Sequence, residues 1–126
     1  MAVAELSRLA AVAGRHLAVH SLPVPTCMGV SLVAGRADRV EIGVSATPLS
    51  AMAAVLVTWH DTLSNAAPML LGESDSDGPR VEIHGEFRDG TPVQVVAYPD
   101  EQDLVGLRDV IWMGARALAW LQEVAS

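Results

Sequence analysis

A carboxylate, an imidazole and a second carboxylate alternate at Glu82, His84 and Glu86, and Tyr98 follows further along the chain. Every second residue of a strand projects from the same face, so these groups line one side of a predicted strand. Such a trio suits acid–base chemistry or a divalent ion. Alternate positions lie about 6.6 Å apart, which is too far for three groups to meet at one ion unaided. The pattern leaves open a solvated sheet face, a surface that docks a partner, and a small-ligand pocket.

Two further sets of possible metal ligands are incomplete. His16 and His20 lie four residues apart on a predicted helix, where their side chains can meet. Leu17 occupies the position of the glutamate in the zinc-binding His-Glu-x-x-His pattern. An acidic loop starts like a calcium-binding loop at Glu73, but its twelfth position is His84 instead of a bidentate glutamate. We therefore expect no metal site and no cofactor.

The composition indicates one domain that spans residues 1–126. Apolar residues make up 51% of the chain, and the net charge of −7 argues against unspecific binding of nucleic acid, because no basic stripe is present to neutralise phosphates. Cys27 is the only cysteine, which suits a reducing compartment. Charged residues interrupt the apolar N-terminal stretch, and no run reaches the roughly 18 apolar residues of a membrane span. We expect a cytoplasmic protein without a membrane anchor.

Hydrophobic periodicity predicts an α+β domain. Alternating polar and apolar residues on either side of Asp89-Gly90 predict the clearest hairpin, over residues 80–98. The other predicted elements are a helix over 2–20, a hairpin over 28–45, a helix from Thr47-Pro48 to about Asn65, a long loop over 66–79 and a helix over about 101–124. The order α-ββα-ββα predicts a two-layer sandwich, in which helices cover mainly one face of a four-stranded antiparallel sheet.

The predicted last helix carries more apolar surface than a helix on the outside of a small domain needs. Apolar residues cover more than half of its circumference. The indole of Trp112 lies at the polar edge between Arg108 and Arg116, where guanidinium groups can stack on it, and Trp120 lies near the opposite edge. Trp and Arg are enriched in protein interfaces, so we predict that these four residues bind a partner, most simply a second copy of the chain in a homodimer.

The sequence favours a binding protein over an enzyme. It contains neither a Gly-x-Ser-x-Gly nucleophile elbow nor a glycine-rich phosphate loop, and no residue is assigned a catalytic role. We expect a non-enzymatic protein-interaction module or assembly subunit that forms homo-oligomers. The alternative is a small-ligand-binding domain or minor enzyme, with Glu82, His84, Glu86 and Tyr98 around its pocket.

Two segments of the chain resemble known proteins. The turn Asp89-Gly90-Thr91-Pro92-Val93 and the helical segment 55–63, Val-Leu-Val-Thr-Trp-His-Asp-Thr-Leu, are similar to segments of small uncharacterised proteins of actinomycetes, some of them linked to phage or mobile elements. The shared features are a turn and a helix face, so they carry no activity with them. The resemblance implies a bacterial cytosolic protein of unknown function.

We predict that the folded protein needs no metal ion, because the ligand spacing fails at each of the candidate sites. Its melting temperature is expected to be the same with and without EDTA, since a structural metal would contribute folding free energy. A fall of many degrees in EDTA that zinc or calcium restores would contradict this prediction.

Overall fold

The structure is a computed structural model that describes residues 2–32, 35, 38–72, 79–100 and 110–126. Within these ranges the chain forms three helices and six strands. The helices are α1 (Ala2–Val19), α2 (Leu49–Thr62) and α3 (Ala115–Ala125). The strands are β1 (Cys27–Ser31), β2 (Arg39–Val44), β3 (Ser64–Leu71), β4 (Arg80–Glu86), β5 (Pro92–Ala97) and β6 (Ile111–Met113). The fold class is therefore α+β, as the periodicity predicts.

The six strands form one mixed sheet in the order β1-β2-β5-β4-β3-β6. β2 and β5 run parallel, with Ile42 opposite Val95, and the other neighbouring strands run antiparallel. The prediction of a four-stranded antiparallel sheet is wrong, because it lacked β3 and β6 and contained no parallel pair. Parallel strands need a long crossover between them, which here consists of α2, β3 and β4.

The hairpin predicted over residues 80–98 is confirmed as β4 and β5. Two backbone hydrogen bonds close its turn, from Phe87 N to Thr91 O and from Gly90 N to Phe87 O, both at 2.9 Å. Gly90 has a φ of 90°, a conformation that glycine adopts without steric cost. Asp89 Oδ1 accepts a further bond from Thr91 N at 2.9 Å, so the Asp-Gly turn signal reflects a real local preference.

Strand β3 lies where the sequence predicts the end of a helix and the start of a loop over 66–79. The sequence does not predict this strand because Pro68 lies within it, and proline cannot donate a hydrogen bond to a neighbouring strand. In the sheet Pro68 lies opposite Ile83 of β4, and its carbonyl accepts from Gly114 N at 2.9 Å. The N–H and C=O of a strand residue point the same way, so the missing donor of Pro68 faces the end of β6. The proline therefore removes no bond from the β3–β4 ladder.

The predicted helix over 101–124 has the wrong bounds. Helix α3 begins at Ala115, and Ile111–Met113 form β6 against β3, with Trp112 opposite Leu70. Gly114 joins strand to helix with a φ of 62°, which does not continue an α-helix. The apolar residues of a short strand also match helical spacing, so periodicity alone did not separate the two elements. Residues 101–109 of the predicted helix lie outside the described residues.

One hydrophobic core lies between the sheet and the helices. Alternate residues of β2, β4 and β5 face this core, and the residues between them face away from it. All three helices contribute buried side chains, among them Leu9, Leu56 and Leu121, and Trp59 is fully buried with them. The helices therefore cover one face of the sheet, as predicted, and the opposite face carries no helix in the described part of the chain.

We predict that Gly85→Ala lowers the free energy of unfolding by about 1–3 kcal/mol, because the new methyl group overpacks the core. A Cβ at this position would lie 3.1 Å from Leu63 Cβ and 3.2 Å from Ser64 O. Gly14→Ala is the matched control: nothing lies within 4 Å of its Cβ position in α1, so alanine should stabilise the helix by up to about 1 kcal/mol. Urea unfolding measures the stability of both variants. Equal effects of the same sign would contradict the claim that a Cβ at position 85 overpacks the core.

Candidate functional site

The side of the sheet opposite the helices, which we call the open face, carries the residues that sequence analysis selected first. The strand register arranges its side chains in rows. One row places Glu82 between Val96 and Met69, and the next places His84 beside Gln94. Glu82 and His84 therefore lie on β4, with strands on both sides of them.

Glu82 is the acceptor at the centre of a hydrogen-bond network. Its Oε1 accepts from His84 Nε2 at 2.7 Å and from Gln94 Nε2 at 3.1 Å. Its Oε2 accepts from Arg80 Nε, which makes an ion pair. Arg80 and His84 lean toward Glu82 from either side and so bridge the spacing between alternate strand residues. Arg80 and Gln94 were not among the predicted site residues, although the opposite charges at positions 80 and 82 of one strand face were a usable signal.

The carboxyl group of Glu82 is suited to a structural role. Glu82 is only 7% exposed, although it lies on the open face. Burial acts to raise the pKa of its carboxyl group, but the hydrogen bonds and charges of Arg80 and His84 outweigh burial and hold this pKa below its usual range. A general acid at neutral pH needs a raised pKa instead. The network therefore keeps a buried negative charge satisfied and is poorly suited to proton transfer.

Glu86 and Tyr98 of the predicted ligand site lie apart from each other. Glu86 Oε1 accepts from Asn65 Nδ2 at 2.8 Å, at one end of β4. Tyr98 lies one position beyond the Val81–Ala97 pair, at the other end of the open face. The six-residue rise of β4 separates these two ends by about 20 Å. The structure thus brings Glu82 and His84 together but does not gather Glu86 and Tyr98 around one point.

Apolar and aromatic side chains flank the Arg80–Glu82 pair on the open face. We call this surface the apolar corner; it consists of Met69 and Leu71 of β3, Val96 and Tyr98 on the β5 side, and Ile111 and Met113 of β6. Tyr98, Ile111 and Met113 are each 61% exposed. The corner combines large exposed side chains with a charged pair whose two members are bonded to each other.

Two of the residues predicted to bind a partner, Trp112 and Trp120, are partly buried. Trp112 faces the core side of β6 and is partly buried there, and Trp120 also packs against the core. The guanidinium carbon of Arg116 lies 4.5 Å from the centre of the Trp112 ring. The predicted stacking of Arg116 on Trp112 is therefore present, but it joins a strand to a helix instead of two turns of one helix. Arg108 lies outside the described residues.

A cavity of about 410 Å³ lies on the helix side, beside the second half of α1, the end of α2 and the β4–β5 turn. We call it the histidine cleft, because His16 and His20 line it. Their ring centres are 4.5 Å apart, as the spacing of four residues predicts. The ring of His16 also stacks on Trp59 at 5.6 Å and contacts Phe87 at 4.8 Å.

The partners of His16 determine where its proton lies. Thr62 Oγ1 donates its single proton to the Trp59 carbonyl at 2.8 Å, so it accepts from His16 Nε2 at 2.9 Å. Burial, and after it the positive charge of His20, lowers the pKa of His16, which is 8% exposed. His16 is therefore neutral at pH 7 with its proton on Nε2. This bond joins α1 to α2 across 46 positions of the chain, which no local sequence pattern reveals.

The fold and these surfaces define an α+β domain whose mixed sheet has one helix-covered face and one open face. Comparison of the chain with protein-family models, with curated proteins and with solved structures found no match. Among the described residues, no three or more His, Cys, Asp or Glu side chains are grouped so that they could hold a metal ion. No helix within the described ranges has the length and apolar character needed to cross a membrane.

Glu82→Gln is predicted to lower the free energy of unfolding by about 3 kcal/mol at pH 7, because it removes the buried carboxylate that pairs with Arg80 and accepts hydrogen bonds from His84 and Gln94. The folded-state pKa of Glu82 is lowered from 4.5, so its stabilising contribution is present above that value and is lost as the pH falls through the folded-state pKa. Urea unfolding at pH 7 and at about pH 3 should therefore show a difference between the two proteins that shrinks in acid.

Glu41→Gln is the control for this prediction. Glu41 is an exposed carboxylate that pairs with Arg39 at 3.1 Å. Its replacement should change stability by less than about 1 kcal/mol, since exposed ion pairs contribute little. The structural role of Glu82 is refuted if the two variants are equally stable at pH 7.

Proposed function

We propose that this protein is a non-enzymatic interaction module that forms a symmetric homodimer through the apolar corner. The observation that carries the proposal is the 61% exposure of Tyr98, Ile111 and Met113 on one side of the sheet. Monomeric proteins rarely expose large contiguous apolar patches, and such patches mark interaction sites. The resemblance to small actinomycete proteins supports a bacterial cytoplasmic location for this assembly.

The charge distribution favours a second copy of the chain as the occupant of the corner. The chain carries a net charge of −7, so two copies repel each other over most approaches. Within the corner, Arg80 and Glu82 are bonded to each other and cancel in charge. An isologous dimer places the same patch on both subunits, so a neutral, apolar patch can face itself without like-charge repulsion.

The small-ligand alternative near His84, Glu86 and Tyr98 has less support. His84 is bonded to Glu82, and the positions of Glu86 and Tyr98 lie at opposite ends of the open face. A ligand site needs its polar groups to converge on one concave space. The dimer proposal needs only the exposed side chains of the corner.

We predict that Ile111→Glu and Met113→Glu each dissociate the dimer, because each puts a charge into an apolar contact. The expected loss is about 2 kcal/mol or more, which raises the dissociation constant by about 30-fold. Light scattering after size-exclusion chromatography, over a series of protein concentrations, measures the mass of each variant.

Val24→Glu is the matched control. Val24 is also a large exposed apolar residue, but it lies in the segment between α1 and β1, away from the corner. This variant should remain dimeric. A wild-type protein that is monomeric at high micromolar concentration overturns the proposal, as does a Val24→Glu variant that dissociates to the same extent as Ile111→Glu.

A further inference from the structure

The histidine cleft carries two arginine side chains on an otherwise acidic protein. Arg15 of α1 and Arg88 of the β4–β5 turn line the cavity together with His16 and His20. The chain has 8 basic and 15 acidic residues, so two arginines and one aspartate around one cavity depart from the overall balance. A cavity of about 410 Å³ falls in the size range of small-molecule sites.

The guanidinium groups of this cleft are available to bind a ligand. Neither Arg15 nor Arg88 makes a hydrogen bond or an ion pair with a described residue. Asp89 is the carboxylate in the lining. Its Oδ1 accepts a hydrogen bond from Thr91 N at 2.9 Å, and its Oδ2 lies 3.8 Å from Arg8 Nη1. Its pKa is lowered, chiefly by the hydrogen bonds of Thr91 and to a smaller degree by the charges of Arg8 and Arg15. Asp89 therefore offsets only part of the positive charge around the cavity.

The remaining residues that line the cavity are partly apolar and partly polar. Val12, Val19 and Phe87 supply hydrocarbon and an aromatic ring. Thr62 and Ser64 supply hydroxyl groups, although the proton of Thr62 is donated to Trp59. Hydroxyl, imidazole and guanidinium groups are donors suited to anionic oxygens, and an apolar wall suits an aromatic or aliphatic body.

We propose that the histidine cleft binds a small organic anion, whose carboxylate or phosphate oxygens are held by Arg15, Arg88 and His20 while its apolar body packs on Phe87. His16 has a positioning role, because its bond to Thr62 holds α1 against the end of α2 and so fixes the distance between the two walls. Charge-assisted bonds from guanidinium groups are the strong contacts in such a site.

Calorimetric titration of the wild-type protein with phenyl phosphate, phenylacetate and benzyl alcohol tests this proposal. At least one of the two anions should bind saturably, and benzyl alcohol, which has the ring but no charge, should bind at least about tenfold more weakly. The stronger anion identifies the oxygen group that the cleft prefers. The ring signals of His16 and His20 in NMR spectra should shift with the same saturation curve.

Variants of exposed arginines provide the matched comparison. Arg15→Gln and Arg88→Gln should each weaken binding of the anion by about tenfold or more, and Arg39→Gln, which removes a charge from the open face, should leave it within about twofold. The proposal is overturned if neither anion saturates the protein up to about 10 mM, if benzyl alcohol binds as tightly as the anions, or if Arg39→Gln has the same effect as Arg88→Gln.

Discussion

The parallel pairing of β2 with β5 is the contact on which the rest of the structure depends. Each of the two hairpins has one apolar face, and a two-stranded hairpin alone is marginally stable in water. The pairing places three buried residues of β2 beside three of β5: Val40, Ile42, Val44, Val93, Val95 and Ala97. The combined apolar surface is wide enough to support a core under three helices. The crossover through α2 and β3 also brings β3 to the far side of β4, where β6 extends the sheet.

When helices cover one side of a sheet, buried polar groups on the other side need hydrogen-bond partners from that side itself. In this chain the open face contains a carboxylate that would be unfavourable to bury alone, Glu82, and supplies it with an arginine, a histidine and an amide as donors. Apolar side chains flank the pair, so that charge and hydrocarbon share one surface. This combination explains how Glu82 is buried on a face that carries no helix in the described part of the chain.

The histidine cleft arises from the same packing on the other side of the sheet. Helix α1 rests on α2 through the ring of His16, which lies against Trp59 and Phe87 and is bonded to Thr62. Aromatic rings are large and rigid, so they hold the two helices and the turn at a fixed separation. The cavity and the apolar corner are built from different residues and lie on opposite sides of the sheet, so each can be altered without removal of the other.

Local patterns in the sequence determined part of this protein. Periodicity placed α1, α2 and the β4–β5 hairpin, and the alternation of apolar and polar residues correctly assigned the buried and open faces of β4. The spacing of His16 and His20 was enough to predict that their rings meet. These features depend on residues within one turn of helix or a few positions of a strand, where backbone geometry alone sets the distances.

Tertiary structure decided the rest. Pro68 is compatible with β3 only because its missing donor faces the end of β6, and Ile111–Met113 form a strand only because the edge of β3 is available to them. The partners of Glu82 on β5 and of His16 on α2 lie 12 and 46 positions away along the chain. Such contacts depend on strand order and helix placement, which follow from how the whole core packs. The sequence by itself therefore determined the elements and their faces, whereas the mixed sheet, the network around Glu82 and the histidine cleft follow from packing between distant segments.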